Sequence, residues 1–457
     1  MNINKNKFDA VVCGAGIVGI AAARALCEAG LGRVALVDPE PPLSVTSDKS
    51  TECYRNWWPG PGDAMVALMN RSIDLMEAQA RRTHNRFLMT RRGYVFATAD
   101  ENRVADFETQ ALEAQALGAG PLRHIGSRSD YRSVEDRDFC NPIDGADLLV
   151  DRQLIGELYP YLSSDTVGIL HTRRCGSLSA QQLGMLLLEE ARIGGTHLIA
   201  AELTGVELAG GRVCAVTLGN GELQQRLETD CVVIASGPYL NTTLAIVDIE
   251  LPVVVEKHVK ISLPDPAGIL PRSAPLLIWA DPIALAWTNE ERAAFTEEPA
   301  LQYLLQTFPA GVHGRPVGGG NQVLMYWTYN CHVDTAPVFP LSWDEFLPEI
   351  TLRGMGVMVP GLGRYFDPMP RPYVDGGYYT KTPDNRPLIG PLSVPGSFVC
   401  SAFSGYGIMA AQAAAELLAL WVTGDALPQY AFAFKPDRFG DPAYLKQVES
   451  SDMSGQL

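Results

Sequence analysis

The sequence predicts a mixed fold in which an α/β unit built on a parallel sheet is intertwined with an α+β unit rich in β-strands. Three observations predict it. A buried-strand run, Val11-Val12-Cys13, leads straight into Gly14-Ala15-Gly16-Ile17-Val18-Gly19 and a helix-forming segment. Strand and helix patterns of the same kind return from Gly168 to Gly237 and again from Phe398 to Val422, which makes the first unit discontinuous. Between about Leu251 and Gly363 lie most of the remaining aromatics, including Trp279, Trp287, Tyr326, Trp327, Tyr329 and Trp343, the mark of a β-rich second unit.

The elements follow in chain order. In the opening motif Gly14 makes the tight turn, Gly16 lets backbone approach a pyrophosphate, and Gly19 lets the helix pack on the strand, with Ala15, Ile17 and Val18 opening the helix toward phosphate. A second apolar strand, Val34 to Val37, ends in Asp38, whose carboxylate accepts hydrogen bonds from an adenosine ribose and disfavours a 2′-phosphate. Strand, helix, strand and acid in this order describe an adenine-dinucleotide site and argue against NADP. The first helix runs from Ile17 to Ala29 and is closed by Gly30 and Gly32. A polar loop spans Pro39 to Ser50, and a long helix from Gly62 to Arg82 puts Met65, Leu68, Met69, Ile73 and Met76 at core spacing.

The polar stretch from Phe87 to Ile143, with a strand at Gly93 to Phe96 and a helix at Glu108 to Ala116, reads as an excursion from the dinucleotide unit. After it come a strand at Gly168, a helix from Ser179 to Arg192, a strand from His197 to Ala200, hairpins at Gly210-Gly211 and Gly219-Asn220-Gly221, and a buried strand from Cys231. Val206 in the first hairpin and Gly237 at the small-residue turn are placed beside the dinucleotide. The strand Phe398 to Ala402 and the helix Ile408 to Val422 follow, and the polar end is expected to fray. The resulting division gives residues 1–86, 145–250 and 364–440 to the dinucleotide unit, 87–144 and 251–363 to the second, and 441–457 to a polar tail.

A chain of 457 residues suits two domains with ample core. The excess of 52 acidic over 36 basic residues, a net charge of −16, disfavours nucleic acid and anionic membrane surfaces as partners. Nine cysteines without a Cys-x-x-Cys pair read as reduced thiols in a cytoplasmic protein, with neither a zinc nor an iron–sulfur site, so no metal is expected. The residues before Phe8 leave no room for a signal peptide, and no apolar run is long enough to span a membrane.

In this order the segments resemble the FAD-dependent D-amino-acid oxidase family, whose relatives include glycine oxidase, sarcosine oxidase and dimethylglycine dehydrogenase. Besides the opening glycines and Asp38, the resemblance rests on Tyr379-Thr380-Lys381-Thr382-Pro383-Asp384 with Pro387 to Gly390, and on Phe403-Ser404-Gly405-Tyr406-Gly407 before the last helix. It implies FAD between a Rossmann-like domain and an antiparallel substrate domain, and oxidation of a C–N bond of an amino acid or a secondary or tertiary amine by hydride transfer to flavin N5. A helix opening at Gly405, Tyr406, Gly407 and Ile408 suits that role, because its N-terminus stabilises negative charge near N1 and O2 of a reduced flavin. Ser50 and Thr51 belong to a loop similar to the one that crosses the isoalloxazine. Arg55 falls where sarcosine oxidase holds the substrate carboxylate, which a planar guanidinium fork suits; a structural arginine paired with an acid is the competing reading.

The chain also departs from these relatives. Gly377 stands where sarcosine oxidase attaches its flavin through cysteine, and Cys53 where dimethylglycine dehydrogenase uses histidine, so FAD is expected to be bound non-covalently. Val323 to Tyr326 and Ile408-Met409 lack the lysines that sarcosine oxidase places near the flavin, which leaves either O2 or another electron acceptor. Tyr326, Trp327 and Tyr379 are candidate walls of an apolar pocket that would lower the pKa of an amine. Alternation puts Glu256, His258 and Lys260 on one strand face, where His258 orients substrate or acts as a base, unless the face is simply solvated. His313 and Arg315 read as a loop whose place the sequence does not give. Oxidation of a 2-hydroxy acid, and a flavin-binding subunit of a larger electron-transfer complex, are the alternatives; a homo-oligomer stays open.

Overall fold

The computed structural model describes residues 6–58, 60–133, 139, 143–221 and 223–450, so Cys140 lies outside it. Six strands form one sheet in the order Leu388–Pro391, Ser397–Ser401, Val232–Ile234, Ala10–Cys13, Val34–Asp38 and Thr196–Ala200, parallel except at the closing hairpin. Every residue of Ala10–Cys13 is buried, as expected of a central parallel strand covered on both faces. Ala10 and Val12 pack with the helices Ile17–Glu28, Ala180–Ile193 and Gly407–Thr423, while Val11 and Cys13 pack with a three-stranded sheet, Glu202–Ala209, Arg212–Asn220 and Leu223–Glu228.

The second sheet has ten strands and is mostly antiparallel. Its long strand Val254–Pro264 pairs along one edge with Tyr373–Lys381 and along the other, in two stretches, with Gln322–Tyr326 and His332–Asp334. Alternation gives the sheet two distinct faces. Tyr94, Leu276 and Ile278 join the core of the six-stranded unit, whereas Val95, Leu277, Val323 and Met325 face a separate core that includes the helix Leu347–Met358.

Several segments differ from expectation. Ala146–Leu149, Gly168–Thr172 and Tyr373–Lys381, assigned by sequence to the dinucleotide unit, hydrogen-bond into the ten-stranded sheet. A strand pattern reports one-sided or two-sided burial but not the partner, so the boundaries fall wrongly there. The helix expected from Glu108 begins at Glu101, where the Asp100 side chain accepts from the Asn102 amide. Leu347–Met358 was not foreseen as a helix because it is buried nearly all round and carries two glycines. A Cβ at Gly354 would lie 2.4 Å from the Trp327 ring and one at Gly356 2.7 Å from Phe366, so the glycines admit aromatics. The first part of the polar tail forms the helix Pro442–Ser450, where the Tyr444 hydroxyl donates to Asp384 at 2.6 Å, and residues 451–457 of the end expected to fray lie outside the described residues. The eight described cysteines are free thiols, and among the described residues no helix is long and apolar enough to cross a membrane.

Candidate active site

Two cavities of about 100 and 280 Å3 share Gly16, Thr46, Ser47, Ala235, Gly237 and Pro238, and together make one trough along the C-terminal edge of the parallel sheet. One end holds Gly14, Asp38 and Tyr239, and the other holds Ser50, Tyr379, Gly405, Gly407 and Ile408. The first end is cut to fit. A Cβ at Gly19 would sit 1.8 Å from the Gly14 oxygen, so helix and strand approach as closely as backbone allows. Asp38 is fixed by the amides of Ala15, at 2.6 Å, and Glu40, at 2.9 Å. Ser236 lines the trough with a buried hydroxyl that has no partner among the described residues. An elongated dinucleotide with a ribose at Asp38 and phosphates at the helix start suits this donor set.

The far end abuts a polar wall on the inner face of the ten-stranded sheet. Register puts Glu256 opposite Tyr379, His258 opposite Gly377, and Tyr326 opposite both Lys260 and His313. His258 Nε2 lies 2.6 Å from Glu256 Oε1, which also accepts from Lys381 Nζ at 2.6 Å. Burial pushes the Glu256 carboxyl up, but the hydrogen bonds from His258 and Lys381 outweigh it and bring it down to about 2. Burial likewise pushes His258 down, so its imidazole is neutral at pH 7 despite the opposing pull of Glu256. An ionised carboxylate only accepts, so Nε2 carries the proton and Nδ1 presents a lone pair. The Tyr326 hydroxyl bonds that Nδ1 and is hydrogen-bonded to Tyr379, whose ring stacks on His258 with centroids 3.9 Å apart. Glu256, His258 and Cys331 are close enough to suggest a metal, all three ligand atoms lying within 4.8 Å. However, Glu256 and Cys331 face opposite nitrogens of one imidazole, and Lys381 already occupies Glu256. The arrangement is a hydrogen-bonded chain rather than a metal-ligand set.

The profile of the FAD dependent oxidoreductase family, DAO, matches residues 9–421. The chain belongs to this family. A sequence comparison with curated proteins finds no match. Among solved structures, the DAO chain is similar to L-proline dehydrogenase from P. horikoshii, with 18% identity, a TM-score of 0.71 and coverage of 95% of this chain and 98% of that one. Glycine oxidase from Geobacillus kaustophilus matches at 17% identity and a TM-score of 0.71, covering 94% and 99%. Iminodiacetate oxidase from Chelativorans sp. BNC1 matches at 17% identity and 0.67, covering 93% and 98%. The protein is an FAD-dependent oxidoreductase, and the trough is where the residues that would hold FAD converge.

The structure brings together many of the residues expected at the DAO cofactor. Gly14, Gly16, Ile17, Val18, Asp38, Ser50, Gly237, Gly405, Gly407 and Ile408 line the trough. Others do not reach it. Thr51 turns its carbonyl to the Arg315 Nε–H at 2.7 Å, and the Tyr406 hydroxyl donates to the Asn385 carbonyl. Val206 packs against the core containing Phe8 and Val216, because its strand leaves the cavity at an irregularity after Leu203; Ala201, Glu202 and Leu203 line it instead.

Trp327 is corrected too: strand alternation after Tyr326 sends it to the opposite face, where its Nε1 donates to the Pro309 carbonyl at 3.0 Å. The solvated-face reading of His258 fails, since His258 is 3% exposed. His313 and Arg315 sit on a strand, His313–Val317, rather than in a loop, and burial, aided by the Arg55 charge, brings His313 down to about 4. Arg55 itself is buried with its guanidinium 4.3 Å from the Trp58 ring and lines neither cavity.

Sequence reasoning missed Thr46, Ser47, Thr380 and Phe403 at the cofactor end. The hydroxyl residues Ser44, Thr46 and Ser47 in the loop after Asp38 were the available signal: Ser47 Oγ accepts the Ile17 amide at 2.9 Å, at the start of the helix that opens on the trough. Lys260 was also undervalued. Its Nζ donates at 2.9 Å to both the Asp48 and Ser50 carbonyls, placing a lysine on the inner wall although the neighbouring Gln322–Tyr326 strand has none.

Proposed function

We propose that this DAO enzyme oxidises the C–N bond of an amino acid or of a secondary or tertiary amine by hydride transfer from the carbon. The observation that carries this reading is the chain Glu256–His258–Tyr326 beside Tyr379 at the flavin end of the trough. FAD, when bound, supplies the two-electron acceptor. The protein's task is then to hold the substrate, keep water out and take a proton, since an amine that enters as an ammonium must be neutral to release hydride. Tyr326 passes its hydroxyl proton to His258 Nδ1 while accepting one from the substrate ammonium. Glu256 then faces an imidazolium across 2.6 Å, and Lys381 fixes that carboxylate. Arg55, within electrostatic reach of His313, supplies the positive potential for a substrate carboxylate. The helix Gly407–Thr423 turns its N-terminal end to the trough, where it would stabilise negative charge on a reduced flavin held there. Attachment is non-covalent in this reading, because Gly377 offers no nucleophile and burial pushes the Cys53 thiol up.

A second reading, oxidation of a 2-hydroxy acid, is favoured by the same chain, which is the base such a reaction needs. Mixing the FAD-loaded enzyme anaerobically with N-methyl, cyclic and primary amino acids and with 2-hydroxy acids separates the two. Bleaching of the flavin band by an amine supports the proposal, and bleaching by hydroxy acids alone overturns it. Recovery of colour on admitting air then distinguishes an oxidase from a dehydrogenase.

A further inference from the structure

A cavity of about 410 Å3 lies on the outer face of the ten-stranded sheet, across Val254–Pro264 from the flavin trough. It arises from an interruption in the sheet. The ladder pairs Lys260 with Tyr326 and resumes only at Lys257 with His332, so residues 327–331 loop away opposite His258 and Val259. Trp327, Trp343 and Leu347 give the space apolar walls, and Lys257 projects into it. Among the described residues the Lys257 ammonium has one polar contact, Ser342 Oγ at 3.4 Å. The carboxylate that also lines the cavity is already engaged: Asp344 Oδ2 accepts from Tyr303 at 2.7 Å and Tyr329 at 3.5 Å, and Oδ1 accepts the Phe346 amide at 2.9 Å. Cys331 closes the inner end, its sulfur 3.5 Å from His258 Nδ1.

A half-buried ammonium without a carboxylate, set among two indoles in a space of ligand size, is the chemistry that selects an apolar anion. We propose that this cavity binds a small aromatic carboxylate, its carboxylate on Lys257 and its ring against Trp327 and Trp343. The site is distinct from the flavin trough and stands one side chain from the proton chain.

The test titrates 4-fluorophenylacetate, which has no oxidisable amine, into the FAD-loaded enzyme. Fluorine NMR reports all binding, and flavin absorbance in the same samples reports binding beside the cofactor. Binding that leaves the flavin spectrum unchanged, and that weakens by about tenfold or more in Lys257→Met, is the expected result. Trp343→Ala, at the exposed rim, weakens it as well, which keeps the test open if Lys257→Met does not load FAD. Absence of binding, or binding that follows the flavin spectrum and is indifferent to both substitutions, overturns the proposal.

Discussion

Replacing Gly405 by alanine tests whether the turn before the last helix is shaped by Tyr379. The new Cβ would lie 2.3, 2.6 and 2.9 Å from Cε2, Cδ2 and Cζ of that ring, whereas carbon atoms settle at roughly 3.5–4.0 Å. The ring would have to retreat by about 1 Å, yet it is stacked on His258 at 3.9 Å and bonded to Tyr326. Gly405 also has φ +93°, which costs an L-residue about 1–2 kcal/mol. Adding about 1–3 kcal/mol for overpacking gives a loss of about 2–5 kcal/mol. Gly407→Ala is the control. Its Cβ would meet nothing closer than 3.6 Å, and as a helical residue it should change stability by no more than about 1 kcal/mol. Urea unfolding of the two loaded variants, with flavin fluorescence as a second probe, measures the difference. Equal stability of Gly405→Ala and wild type, or equal losses in both variants, would refute the reasoning.

Other outcomes follow from the same geometry. In Glu256→Gln, kcat falls by about 10–100-fold, and the acid limb of the pH profile moves to lower pH because the charge that raises His258 is gone; an unmoved limb would count against the proton chain. Glu256, brought from 4.5 to about 2 on folding, contributes stability that is present above about pH 4.5 and lost as pH falls toward 2, so unfolding curves of Glu256→Gln should lose pH dependence in that window. Asp38→Ala removes the acceptor of the Ala15 and Glu40 amides and a ribose partner, and a fluorescence titration should show FAD binding weakened by about 10–100-fold. Arg55→Met should raise KM for amino acids by about tenfold with a smaller change in kcat, and an unchanged KM would remove Arg55 from substrate binding.

The parallel sheet, its glycine turn and its last helix were legible because each depends on local pattern: a buried run, a positive φ at Gly14, and small residues before Gly407. Alternation also read correctly on Val254–Pro264, where Glu256, His258 and Lys260 share one face. It did not tell that this face is covered, since a charged strand reads alike in water and against a cofactor. Burial of His258 follows from the pairing with Tyr373–Lys381, residues far along the chain. Trp327 shows the same limit: its type suggested a pocket wall, and one step of strand register sent it to the other cavity.

The order of strands in the parallel sheet also sets when the protein becomes competent during its own synthesis. Val232–Ile234 sits between Ala10–Cys13 and Ser397–Ser401, so the sheet cannot be complete until Ser397–Ser401 has left the ribosome. The trough needs Gly16 from the beginning and Gly405 from near the end. Cofactor loading must therefore wait until the segment around Gly405 has emerged, and chains cut short before Ser397 would lack one end of the trough.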